Sequence, residues 1–161
     1  MKKAAALIAL VLWSVPAWAA GDAGLERLAT CQDSWLVWSK TDPARMKAYV
    51  DQIHSGFSQS DNDAFVLPKT ATSILGLHVT QLFPESVGMG VGFSVMVGGS
   101  FETARKAVEK KLGKSLGKCD DGENMRSCEL ELGEQRTLTL LAQDVPQTNS
   151  TLIGCFYYYG K

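Results

Sequence analysis

Residues 129–140 read ELELGEQRTLTL, and this stretch decides the fold. On both sides of residues 133–136, polar and apolar residues alternate with a period of two, so one face of each segment is apolar. Two such segments joined by a short loop predict a β-hairpin whose strands each bury one face. The C-terminal third of the chain is therefore predicted to form antiparallel sheet.

Further strands are predicted on both sides of this hairpin. Residues 152–159 are apolar at successive positions, which suits a central strand with both faces buried. Residues 64–67, 73–83 and 87–97 are rich in β-branched and aromatic residues and are bounded by turn residues. Together with the hairpin, these segments predict six strands.

Three segments have helical periodicity. Apolar residues between 25 and 38 predict a first helix with Asp22 as its cap, and Cys31 would lie inside it. Asp42 followed by Pro43 starts a second helix, and Ser100 caps a third, because these residue types are favoured at those positions. The order of elements predicts an α+β fold, with a mainly antiparallel sheet of about five to six strands packed against two N-terminal helices and one central helix.

The N-terminal residues 1–19 predict a cleavable signal peptide. Two lysines precede an uncharged apolar run at 4–15, and residues 17–19 are Ala-Trp-Ala, the small-residue pattern of a cleavage site. The run is shorter than the about 20 residues that a membrane-spanning helix needs. We therefore expect a protein of the periplasm, or a secreted one, with residues 20–161 forming a single α+β domain.

The charge balance argues against two classes of partner. The chain has 16 Lys and Arg against 17 Asp and Glu, and removing Lys2 and Lys3 leaves 14 basic residues. No basic stripe of the kind that binds nucleic acid is present. We expect no nucleic-acid partner and no stable membrane insertion after signal cleavage, and another envelope or secreted protein as the partner.

The four cysteines predict two disulfides, because an even number in an oxidising compartment favours pairing. Three pairings are open. Cys119 and Cys128 bracket a turn-rich loop, so we favour that pair together with Cys31 and Cys155. Zinc-type Cys-x-x-Cys spacing is lacking in the sequence, and no metal or cofactor is predicted.

Residues 86–98 read SVGMGVGFSVMVG and form the first candidate interface. In a strand, alternation would place Gly88, Gly90, Gly92 and Ser94 on one face. Glycine in a strand offers no side chain for packing, so something is expected to approach this face closely. The open alternatives are a helix of the same domain, a partner chain or flat ligand, and a bulged or curved strand.

Tyr157 and Tyr159 form the second candidate interface. Tyrosine is enriched at interface hot spots because an apolar ring carries a polar tip. Alternation places these two residues on one side of the last strand, and burial in the core is the alternative interpretation.

Catalytic groups are few. The two histidines, His54 and His78, lie in a predicted helix and a predicted strand, and no nucleophile motif accompanies them. We therefore predict a binding protein, such as an inhibitor, a neutralising protein or an envelope accessory module acting by protein–protein contact. The alternatives are a carrier of a small apolar ligand and, less favoured, a small envelope hydrolase.

Overall fold

The computed structural model describes residues 22–35, 42–61, 64–84, 86–87, 90–122, 124–143 and 149–157. The predicted signal peptide and the predicted sites Gly88 and Tyr159 lie outside these residues. The helices of the described residues are α1 (Ala23–Ala29), α2 (Pro43–Gly56) and α3 (Phe101–Leu112). The strands are β1 (Phe57–Gln59), β2 (Val66–Pro68), β3 (Ser73–Ile74), β4 (Leu77–Phe83), β5 (Ser86–Val87), β6 (Gly90–Gly98), β7 (Lys118–Asp121), β8 (Met125–Gly133), β9 (Arg136–Gln143) and β10 (Ser150–Tyr157).

Antiparallel pairing joins the strands into one sheet. Eight strands follow the order β1-β2-β4-β6-β10-β9-β8-β7, while β3 pairs with β4 and β5 pairs with β6. The predicted hairpin is present as β8 and β9, and β10 lies in the middle of the sheet between β6 and β9. A mostly antiparallel sheet with three helices is thus confirmed.

The predicted number of strands was wrong: ten are present among the described residues, where five to six were expected. The predicted strand 73–83 is two strands, because Leu75 and Gly76 have φ angles of 53° and 75° and make a tight turn. The predicted strand 87–97 is likewise divided into β5 and β6. Two short strands, β1 and β7, extend the sheet at its edges and were not predicted, since strands of three or four residues have too little alternation to detect.

Helix α1 is shorter than predicted. Asp22 caps it through hydrogen bonds from the N–H groups of Gly24 and Leu25, but the helix ends at Ala29. Cys31 has a φ angle of 56° and lies outside the helix, contrary to the prediction. The chain turns there because the N–H groups of the two following residues, Gln32 and Asp33, both donate to the carbonyl of Arg27.

The predicted starts of the other two helices are confirmed. Asp42 accepts a hydrogen bond from Ala44 N–H, and Pro43 occupies the first turn of α2. Ser100 accepts from Thr103 N–H at the start of α3. Gly113 ends α3 in the left-handed conformation, with a φ angle of 67° that glycine adopts without a steric penalty.

All three described helices contribute buried residues to the core on one side of the sheet, which we call the helix face. The opposite side carries Ser94, Gly154 and Thr139, and we call it the helix-free face because none of the described helices packs on it. The core cluster consists of helix residues and inward-facing strand residues, among them Leu25, Leu28, Tyr49, Ile53, Phe101, Ala104, Val108, Phe93, Val95, Val97, Leu138, Leu140, Ile153 and Cys155. Leu152 and Phe156 are buried but lie outside this cluster, on the helix-free face.

Candidate functional site

A row of small residues crosses the middle of the helix-free face. The register pairs Gly154 of β10 with Ser94 of β6 on one side and with Thr139 of β9 on the other. Ser94 is 1% exposed, and its hydroxyl and that of Thr139 have no hydrogen-bond partner among the described residues. Buried hydroxyls without a partner are uncommon, because leaving one unsatisfied costs free energy. The row is thus the most unusual polar feature of this face.

Apolar side chains lie on both sides of the row. Leu152 is paired with Met96 and with Leu141, which are partly exposed. Towards β2, the rings of Phe65 and Phe83 are in tilted contact, with centroids 5.7 Å apart. The centre of the helix-free face is therefore apolar, with hydroxyls set into it.

The margins of the helix-free face are more exposed. Leu67 of β2 and Met125 of β8 are 39% and 49% exposed, and by strand alternation both side chains lie on this face. They are the exposed large hydrophobic residues of the described chain. The exposed Glu129 and Glu131 of β8 lie on the same face and make its β8 margin acidic.

The glycine-rich candidate interface in residues 88–94 is in part buried within the sheet. A Cβ atom at Gly92 would overlap the carbonyl oxygen of Cys155 and lie 2.9 Å from the Cα atom of Phe156. The neighbouring strand β10, and not a helix, is what approaches this glycine closely. Gly90 pairs with Val87 in the β5–β6 hairpin. Gly92 and Ser94 therefore form the buried floor of the helix-free face.

Gly154 has the same role, and the sequence interpretation did not single it out. A Cβ atom there would lie 2.6 Å from Ser94 Cβ and 2.7 Å from a ring atom of Phe156. The ring of Phe156 occupies the space that a side chain at position 154 would need. The sequence signal that could have identified Gly154 is a glycine within an otherwise apolar strand.

Tyr157 lies on the helix face and is 6% exposed. Its hydroxyl shares a hydrogen bond of 3.0 Å with the hydroxyl of Ser34, in the segment after α1. Its apolar ring and polar tip thus both contact other parts of the same chain.

Both disulfides have the pairings that the sequence favours. Cys31 is bonded to Cys155 across 124 positions of the sequence, and both residues are buried. Cys119 is bonded to Cys128, and these two residues are directly opposite each other in the β7–β8 pair.

A buried carboxylate, Asp33, has the densest set of polar contacts. Its side chain is 8% exposed, accepts a 2.8 Å hydrogen bond from the hydroxyl of Tyr49, and lies 3.4 Å from Arg27 and 3.3 Å from Arg45. Burial by itself would raise the pKa of Asp33. The hydrogen bonds from Tyr49 and from the N–H of Ser34, with the two guanidinium groups, outweigh burial and lower that pKa. Sequence reasoning missed this cluster because it assigned residue 33 to a helix.

The two histidines lie in different elements of the described structure. His54 lies exposed in the last turn of α2, and His78 lies exposed in β4. Neither ring has a hydrogen bond to a described residue. In the described ranges, no group of three or more His, Cys, Asp or Glu residues is placed to hold a metal ion.

No helix in the described part of the chain is long and apolar enough to cross a membrane. The chain matches no protein-family model. Searches of curated proteins and of solved structures also find no match.

Replacing Gly92 with alanine is expected to destabilise the protein by roughly 2 kcal/mol or more, because the added methyl group overlaps the backbone of β10. Urea unfolding followed by circular dichroism measures this change. Gly98→Ala is the matched control in the same strand, since a Cβ atom there has only the carbonyl oxygen of His78 nearby, at 3.9 Å. We expect the control to stay within about 1 kcal/mol of the parent protein. Equal effects of the two substitutions would contradict the close approach at Gly92.

Asp33→Asn is expected to lower the free energy of unfolding by about 1–3 kcal/mol at pH 7, because it weakens a buried, hydrogen-bonded charge cluster. The folded-state pKa of Asp33 is lowered, so its stabilisation is complete above the unfolded pKa of about 3.9 and is lost as the pH falls through the folded value. The stability difference between parent and variant should therefore narrow below about pH 4.

Urea unfolding of the parent protein and of Asp33→Asn between pH 2.5 and 7 tests this dependence. Subtracting the two free energies of unfolding cancels the contribution of other titrating groups. Asp51→Asn is the control, because Asp51 is exposed and its one ion pair among the described residues is with Lys47, one turn away. Its effect should not exceed about 0.5 kcal/mol. A difference at Asp33 that stays constant down to the lowest pH would show that its charge does not stabilise the fold.

Proposed function

We propose that this chain is an exported, disulfide-stabilised binding protein that contacts another protein through its helix-free face. The observation that carries the proposal is the position of Leu67 and Met125. These exposed apolar side chains lie on the one side of the sheet that no described helix covers. Met96 and Leu141, on strands between those of Leu67 and Met125, are also partly exposed. Contiguous exposed apolar surface is typical of interaction sites.

The composition of the face also supports protein–protein contact. Its centre is apolar, with partly exposed Met96 and Leu141, and its β8 margin carries the exposed Glu129 and Glu131. Interfaces between proteins commonly have an apolar core and a polar rim. Gly92 and Ser94 are buried, and the exposed margin residues make the contact.

Export is supported by the composition of residues 1–19 and by the two disulfides. Disulfides persist in oxidising compartments such as the periplasm and the extracellular medium. An inhibitor, a neutralising protein or an envelope accessory module fits this combination of compartment and surface.

Substituting glutamate for Leu67 or for Met125 is expected to abolish partner binding while the protein remains folded. The glutamate charge would lose its water of hydration in the complex, and no group of opposite charge would be placed to compensate for it. The measurement is chemical crosslinking in intact cells that export the tagged protein, followed by mass spectrometry of the captured proteins. One dominant captured protein is expected with the parent chain.

Ala48→Glu is the matched control, because it adds the same charge at an exposed position on α2, away from the helix-free face. The control should capture the partner as the parent does. Circular dichroism and alkylation of free thiols establish that each variant is folded and oxidised. Full capture by folded Leu67→Glu and Met125→Glu proteins would refute binding through this face.

A second candidate function is the carriage of a small apolar ligand on the same face. The two buried hydroxyls of Ser94 and Thr139 favour it, because each has an unused hydrogen-bonding capacity beside apolar side chains. Native mass spectrometry of the purified protein should then show a bound small molecule that Ser94→Val and Thr139→Val weaken. Purified protein without a bound small molecule would count against this carrier function.

A further inference from the structure

The Cys119–Cys128 disulfide lies at the edge of the sheet. Strand β7 is the last strand of the sheet path and has four residues, and among the described strands it pairs only with β8. The two cysteines face each other directly across this pair. One sulfur of this bridge is thus carried by a strand beyond which the sheet path has no further described strand.

The two disulfides differ in exposure. Cys31 and Cys155 are 5% and 1% exposed, and both belong to the core cluster. Cys128 is also fully buried, whereas Cys119 is exposed. Disulfide exchange requires a thiolate to reach one sulfur of the bridge, so access decides which bridge reacts. Among these four cysteines, Cys119 alone is exposed.

We propose that Cys119 is a site of thiol–disulfide exchange, and that it prefers thiols whose surroundings are positively charged. An external thiolate attacks Sγ of Cys119, forms a mixed disulfide there, and displaces Cys128 as a thiolate that takes up a proton. A second external thiolate attacks the external sulfur of the mixed disulfide and displaces Cys119 as a thiolate, which takes up a proton. The external dithiol or pair of thiols is oxidised to a disulfide, and the bridge is reduced.

The charge preference follows from the segment that the bridge closes. Residues 118–128, which include both cysteines, contain three acidic residues, Asp120, Asp121 and Glu123, and two cations, Lys118 and Arg126. Arg126 is engaged by Asp121 at 2.8 Å and by Glu102 at 2.6 Å. Asp120 is exposed and has no ion pair among the described residues. An incoming anionic thiol is therefore repelled, and a cationic thiol is attracted.

The fold is expected to persist when this bridge opens. Strand β8 stays paired with β9, and Cys31–Cys155 continues to tie α1 to β10. What is lost is the crosslink that holds the four-residue edge strand β7. This exchange site does not depend on the binding function proposed above.

The test compares three small thiols that differ in charge: cysteamine (cationic), 2-mercaptoethanol (neutral) and 2-mercaptoethanesulfonate (anionic). The purified, oxidised protein is incubated with each thiol, quenched with acid and alkylated in denaturant. Mass spectrometry then locates the mixed disulfide and the freed thiols. After correction for the fraction of each thiol that is ionised, we expect the exchange rate at Cys119 to be about three- to tenfold lower with the anionic thiol than with the cationic thiol at low salt. At 0.5 M salt, the rates with the three thiols should converge.

Two variants with the same charge change complete the experiment. Asp120→Asn should narrow the difference between the cationic and the anionic thiol, whereas Asp61→Asn, beside the opposite edge strand β1, should leave it unchanged. Exchange that begins at Cys31 or Cys155, or opening of both bridges together, would overturn the assignment of the site. Equal rates for the three thiols at low salt would overturn the charge preference.

Discussion

The burial of strand β10 on all sides is the constraint on which the rest of the structure depends. Every residue from 151 to 157 is buried, and β6 and β9 occupy both hydrogen-bonding edges. A strand in this position must have its backbone groups paired and both of its faces covered or packed. Because side chains alternate between faces, the register of β10 also decides which residues of β6 and β9 share each face.

On the helix face, β10 is tied to the N-terminal region. Cys155 is bonded to Cys31, just after α1, and Arg136 of β9 donates to the carbonyl oxygen of Cys31 at 3.3 Å. The left-handed backbone at Cys31 is thus held from two strands. A second link runs through Glu26 of α1, which forms an ion pair with Lys111 of α3 and accepts a hydrogen bond from the N–H of Leu75. The helices are therefore positioned by a few polar and covalent contacts in addition to apolar packing.

On the helix-free face, the same strand produces a different surface. Gly154 makes room for the ring of Phe156, and Gly92 makes room for the backbone of β10. Large apolar side chains lie beside this row of small residues, and Leu67 and Met125 are exposed at the margins. The centre of this face is thus packed around β10, and its exposed apolar residues lie further out.

Local patterns in the sequence by themselves determined the helix caps at Asp22, Asp42 and Ser100, the β8–β9 hairpin and the central position of β10. Each of these depends on residues a few positions apart, through alternation, capping or apolar runs. Only the tertiary structure decided that Cys31 leaves α1, that β7 occupies the sheet edge and that one face carries no described helix. These features depend on contacts between residues far apart in the chain, such as Gly92 with Phe156, and local periodicity contains no information about them.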